Sequence, residues 1–167
     1  MTGDHIFNLY LPLIRAAYAN TDAGKLPAGC EFVSRIGYGE AYFGMAVRHI
    51  DSNRYIIAIR GTMSLDDWRQ NLRVLPSQFE RVPGCSVHRG FEHQWEIVRG
   101  SVVAALALMP NGADITIIGH SLGGAMAQLG VVDIATNFAD RKFGLSLFTV
   151  AAPRAGTWWF AKTAEKL

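Results

Sequence analysis

Cysteine is scarce. Only Cys30 and Cys85 occur in 167 residues, so a disulfide framework is excluded and the pair reads as two free thiols. No Cys/His cluster has zinc spacing, which leaves no metal site to expect. Charge of one sign is also lacking. The formal net charge is +2, too small to argue for a nucleic-acid or membrane partner. No run of about 18 apolar residues escapes a charge or a glycine, so no spanning helix is expected. Repeats, low-complexity stretches and long charge runs are absent. The apolar stretch within Met1 to Asn20 has no Lys or Arg before it, and Asp4 and Arg15 are wrong for a signal peptide. The reading is a mature protein, cytoplasmic by default. Against these absences, half the residues are hydrophobic, enough for a packed core. One domain over residues 1–167 is expected from the length.

Periodicity supplies the elements. Ile6, Leu9, Tyr10, Leu13, Ile14 and Ala17 recur at helical spacing, with Pro12 limiting the start or kinking it. A loop with Gly24, Pro27 and Gly29 follows. Ala41 to His49 and Tyr55 to Ile59 read as a hairpin around Asp51-Ser52-Asn53. Leu65, Trp68, Leu72 and Leu75 lie on a short amphipathic helix closed by Pro76. A second loop holds Pro83 and Gly84. Phe91, Trp95, Val98, Val102, Leu106 and Met109 mark the clearest helix, which ends at Pro110. Asp114 to Ile118 has the β-branched run of a strand buried on both faces. A glycine-rich turn, a helix from about Leu122 to Asn137, a strand from Leu145 to Ala151 and a helical segment from Trp158 to Leu167 complete the chain. The alternation in the second half predicts an α/β fold with a largely parallel sheet and covered faces.

The turn carries chemistry. Gly119-His120-Ser121-Leu122-Gly123 matches G-x-S-x-G directly after a buried strand and directly before a helix, the context of a nucleophile elbow. A serine on so sharp a turn needs neighbours without side chains two positions before and after it. Gly119 and Gly123 meet that need, and Gly124 lets the helix pack close. The helix N-terminus brings backbone N–H groups and a positive dipole to the place where an oxyanion would form. The other reading is a glycine-rich strand-to-helix turn with an incidental serine.

Gly-His-Ser-Leu-Gly-Gly, preceded by Ile-Thr-Ile-Ile and followed by Ala-Met-Ala-Gln-Leu, resembles the class 3 (fungal-type) lipases of the α/β-hydrolase superfamily. Three more segments agree in the family's order. Ile59-Arg60-Gly61-Thr62 with Asp67-Trp68 and Asn71-Leu72 resembles the oxyanion loop and lid. Val87-His88-Arg89-Gly90-Phe91 resembles the stretch opening the helix before the nucleophile strand. Phe148 to Gly156 resembles the strand and turn after the nucleophile helix.

The resemblance implies an α/β-hydrolase-type fold, with helices on both faces of a mostly parallel central sheet and without the family's C-terminal strands. It implies a lipase or carboxylesterase acting on lipid or small ester substrates, without a cofactor. Ser121 is the implied nucleophile, and the backbone N–H groups of Leu122 and Thr62 the implied oxyanion donors. Met63 to Leu75 is the implied lid, with Leu65, Trp68 and Leu72 on the face that covers the site or meets a lipid–water interface. An ordinary surface helix is the other reading of that segment.

One part of the family pattern is missing. The triad order in this fold is Ser, then Asp or Glu, then His, yet no histidine follows Ser121. Asp133 lies twelve positions along the same helix, ~18 Å away at 1.5 Å per residue, too far to orient a base at Ser121. His120 reads as a packed histidine, because neighbours on a tight turn point apart. His88 and His93 read as structural, with His88 the least unsuitable base. Three readings follow: part of a lipase, truncated or split, that needs a chain supplying Asp and His; a short hydrolase with an unusual base; or a non-catalytic lipase-like module. In the first, the last strand is an exposed apolar edge open to self-association or a complementary chain.

Overall fold

The computed structural model describes residues 5–19, 26–61 and 76–165. The expected lid helix, with Leu65, Trp68 and Leu72, and the expected oxyanion donor Thr62 lie outside the described residues. At the N-terminus a π-helical turn, Ile6–Tyr10, runs into α1, Leu11–Tyr18. Pro12 limits the start of the α-helix, as expected. It stands in the first turn of α1, just after the π-helical turn, so it marks the start of the α-helix.

Five strands form the central sheet: β1 (Cys30–Tyr38), β2 (Ala41–His49), β3 (Arg54–Ile59), β6 (Asp114–His120) and β7 (Gly144–Val150). Their spatial order is β1-β2-β3-β6-β7. The β1–β2 and β2–β3 pairs are antiparallel, and the β3–β6 and β6–β7 pairs are parallel. The predicted hairpin around Asp51–Asn53 is the β2–β3 connection. Strand β1 is an addition to the sequence reading. Its alternation is interrupted by two register shifts, between Phe32 and Ser34 and between Ile36 and Gly37, so the period-2 signal never builds up. Two three-residue strands, β4 (Pro76–Gln78) and β5 (Ser86–His88), form a separate ribbon too short to show any period.

The pleat divides the core. Ile57 and Ile59 of β3, with Ile115 and Ile117 of β6, face α2 (Arg89–Ala107) and α3 (Leu122–Asn137). The alternate residues Ile56, Ala58 and Ile118 face α1, against Leu13, Ile14 and Ala17. Helices thus cover both faces, and burying each of these Ile and Leu side chains contributes about 1.5–3 kcal/mol. In α3 every residue from Leu122 to Ile134 except Gln128 is buried. A helix apolar on all sides is one enclosed on all sides: α3 lies between the sheet, α2 and α4 (Trp158–Ala164). Strand β7 pairs with β6 along its whole length and forms one edge of the sheet, its residues from Leu145 onward half-buried. Cys30 and Cys85 are free thiols.

Candidate active site

Strand β6 ends at His120 and α3 begins at Leu122, so the reversal of direction falls on Ser121 alone. Its backbone has φ +55° and ψ −125°. A non-glycine residue held in so sparsely populated a region stores about 1–3 kcal/mol and persists only where its surroundings over-determine it. Here they do. Ser121 N donates to Val150 O at 3.0 Å, and Ser121 O accepts from Gly124 N at 2.9 Å and from Ala125 N at 3.2 Å. The hydroxyl does not cap the helix. The residue keeps 9% of its surface exposed at the end of the sheet.

Three glycines make the turn sterically feasible. A Cβ on Gly119 would lie 2.3 Å from Gly123 O, and one on Gly123 would lie 2.2 Å from Ile59 O. A Cβ on Gly124 would lie 2.6 Å from Ala152 Cβ, in the turn after β7. The end of β3 and the turn after β7 thus close on the elbow from either side. Gln128 fastens the second of these, donating to Pro153 O at 3.1 Å and accepting from Ala155 N at 3.4 Å.

The first N–H groups of α3 have no intrahelical acceptor. Leu122 N faces Gly61, where a Cβ would approach it to 3.3 Å and would meet His120 O at 3.0 Å. Gly61 is therefore laid against the elbow, directly before Thr62. Gly61 N donates to the Tyr18 hydroxyl at 2.9 Å, and the same hydroxyl lies 2.9 Å from His120 Nδ1. Tyr18 has no counterpart in the sequence reading; it sits at the end of the apolar stripe of α1, and nothing local sets it apart.

All five histidines fall within the described residues, and no hydrogen bond joins any of them to the Ser121 hydroxyl. His5 rings against Tyr10 and His49, and His49 bonds Ser52. His93 is exposed on α2. His120 is engaged with Tyr18. His88 is the N-cap of α2, its Nδ1 accepting from Gly90 N at 3.2 Å and its ring stacked on Phe91 at 4.3 Å.

His88 also joins two motifs that are far apart in sequence. Its N–H donates to Ala155 O and Thr157 N donates to Ser86 O, each at 2.9 Å. A cleft of about 180 Å³ opens there, lined by Pro76, Val87, His88, Arg154, Gly156 and Thr157 among others, and Ser121 is not on its wall. Asp133 is 1% exposed and fully engaged: it accepts from Trp95 Nε1 at 2.8 Å, from Arg99 at 2.6 and 3.1 Å, and from Asn137 at 2.8 Å. Among the described residues no group of His, Cys, Asp or Glu could hold a metal, and no helix is long and apolar enough to cross a membrane.

A sheet with helices on both faces and a positive-φ serine between strand and helix defines an α/β-hydrolase-type fold. The family model for lipase (class 3) matches residues 56–167, and the chain belongs to that family. The secreted mono- and diacylglycerol lipase 1 of Fusarium solani is 30% identical over 109 residues, covering 64% of this chain and 32% of its own length. The lipase of Rhizomucor miehei is 33% identical over 120 residues, covering 66% and 32%. In solved structures, lipase II from Rhizopus niveus superposes with a TM-score of 0.80 at 25% identity, over 94% of this chain and 65% of that one. The mono- and diacylglycerol lipase of Aspergillus oryzae has the same fold, with a TM-score of 0.78 at 20% identity, over 99% and 68%. The chain spans about a third of the length of the curated relatives it matches.

Proposed function

We propose that this chain carries the nucleophile and oxyanion site of a serine hydrolase of acyl-lipid esters. The observation that carries the reading is the positive-φ Ser121 between β6 and α3, with Gly61 packed against Leu122 N. The Ser121 Oγ attacks the ester carbonyl carbon and gives up its proton to a base. The carbonyl oxygen takes the negative charge, and collapse expels the alcohol and leaves an acyl-enzyme that water then hydrolyses. The N–H groups of Leu122 and Thr62 stabilise the oxyanion, each contributing about 3 kcal/mol in the transition state. Met63 to Leu75 serves as the lid, its Leu65, Trp68 and Leu72 face meeting acyl chains. The relatives named as mono- and diacylglycerol lipases favour partial glycerides as substrates.

Among the described residues no hydrogen bond joins a histidine to the Ser121 hydroxyl, so half of a split lipase, inactive without a chain supplying Asp and His, is one alternative. The edge of β7 is where a segment carrying them would pair. A non-catalytic role is the other, and a phosphonate adduct on Ser121 of this chain alone separates the hydrolase from both. The test is hydrolysis of p-nitrophenyl esters and labelling by a fluorophosphonate, read by mass, for wild type and Ser121→Ala. The proposal requires an adduct on Ser121 and its loss in the variant. Equal hydrolysis by both proteins with no adduct overturns it.

A further inference from the structure

We propose that Tyr18 is a positioning residue that locks the oxyanion loop to the nucleophile elbow; the inference rests on the serine-hydrolase reading above. One phenol oxygen, at the C-terminal end of α1, makes two bonds of 2.9 Å, one from Gly61 N and one to His120 Nδ1. The proton inventory fixes the direction of the first. Gly61 N–H can only donate, so the phenol oxygen accepts from it. The phenol's own proton is then free for His120 Nδ1, and the proposal takes that arrangement, with the imidazole proton on Nε2. A single hydroxyl thus spans the residue before Thr62 and the residue before Ser121.

The tether answers a difficulty that the packing creates. Gly61 is closely surrounded: a Cβ there would lie 2.7 Å from the Tyr18 hydroxyl, 3.0 Å from His120 O and 3.3 Å from Leu122 N, so a side chain would displace the phenol and press on the elbow. Glycine, however, is the residue whose backbone is least restrained. The φ and ψ of Gly61 lie between its own N–H and the N–H that Thr62 would offer to an oxyanion, and a donor helps only when it is fixed beforehand. The Tyr18 hydroxyl anchors the near end of that hinge, the Arg60–Gly61 peptide. The ring of Tyr18 sits edge-on to the imidazole of His120, with centroids 5.7 Å apart, so the same side chain also holds the residue preceding the nucleophile. Neither Tyr18 nor His120 touches the reacting atoms in this scheme.

The test is Tyr18→Phe, which keeps the ring and removes the oxygen, beside Tyr38→Phe, a 72% exposed tyrosine at the end of β1, as control. Two readouts are taken on the full chain. Hydrogen exchange at the Gly61 amide is expected to speed up at least tenfold in Tyr18→Phe and not in the control. The His120 ¹⁵N shifts are expected to show the Nε2–H tautomer in wild type and a mixture in the variant. Unchanged exchange and tautomer overturn the bridge whether or not the protein hydrolyses anything. With p-nitrophenyl esters, kcat is expected to fall about tenfold while KM stays within twofold, and fluorophosphonate labelling of Ser121 is expected to slow in parallel. Full kcat and labelling in Tyr18→Phe, with Ser121→Ala inactive, overturn the positioning role and leave the hydrolase reading standing. Absence of hydrolysis and labelling in wild type overturns both roles, and the exchange data still report the bridge.

Discussion

The indole Nε1–H of Trp95 donates to the carboxylate of Asp133 at 2.8 Å, joining α2 to α3 through a pair in which both side chains are almost completely buried. Arg99 adds two charge-assisted bonds to the same carboxylate, and the Trp95 ring lies where a Cβ on Gly130 would come within 2.7 Å of it. Asp133 is therefore the anchor of a helix–helix contact. Asp133→Ala would leave Arg99 and Trp95 without their acceptor, and breaking a buried pair from one side costs about 3–5 kcal/mol. The expected outcome in denaturant unfolding is a loss of that size. Fluorophosphonate labelling of Ser121, measured below the new midpoint, is expected to be unchanged, since the carboxylate has no part in the site. A stable variant that fails to label would give Asp133 a catalytic role instead.

Gly123→Val is expected to abolish labelling of Ser121 and to lower the thermal midpoint sharply. The added Cβ would lie 2.2 Å from Ile59 O and 2.6 Å from the Arg60 carbonyl carbon, both backbone atoms that cannot move aside without shifting β3. Gly100→Ala makes the contrast. Gly100 lies within α2 with open space around it, so alanine there is expected to stabilise the helix by up to about 1 kcal/mol. Loss of stability in both would remove the steric argument.

What the sequence discloses depends on how local each signal is. The α2 stripe from Phe91 to Met109 and the extent of α3 are read from adjacent turns of helix, and both agree with the structure to within two residues. The elbow is also local, because five consecutive residues carry its steric logic. Strand β1 escapes because its bulges reset the alternation twice. The Tyr18 bridge escapes for another reason: its partners are 43 and 102 residues away, and a tyrosine ending an amphipathic helix looks like any other. Likewise His88 and Ala155 belong to motifs recognisable separately, but only the chain's return after β7 brings them into contact.

The two thiols are expected to differ from each other and from a free cysteine. Cys85 is buried and should resist iodoacetamide until the protein unfolds. Cys30 is half-buried, and desolvation pushes its thiol up from the ordinary value by disfavouring the thiolate. Alkylation of Cys30 at pH 8 is therefore expected to be slower than in the unfolded chain and to rise only at higher pH. The linkage has the same sign. Preference for the neutral thiol stabilises the fold below the unfolded thiol's pKa and is lost as the pH climbs through the raised folded value. Mass-resolved alkylation between pH 7 and 10 checks both residues; equal rates in folded and unfolded protein would contradict the burial.

His88 offers the sharpest choice between a structural and a chemical role. Its Nδ1 accepts from Gly90 N at the first turn of α2, so it holds an orphan donor as an N-cap does. Loss of such a cap costs about 1 kcal/mol, and asparagine is among the side chains that supply it. His88→Ala is expected to lower stability by about that amount, a fall of roughly 2–4 °C in Tm for a chain of this size. His88→Asn is expected to recover most of it. A base cannot be replaced in this way, because an amide does not take up a proton near neutral pH. If His88 activates Ser121, both variants lose ester hydrolysis together and asparagine rescues nothing but the melting temperature. The expected result is that labelling and hydrolysis in His88→Asn match wild type, which assigns the imidazole to the helix end.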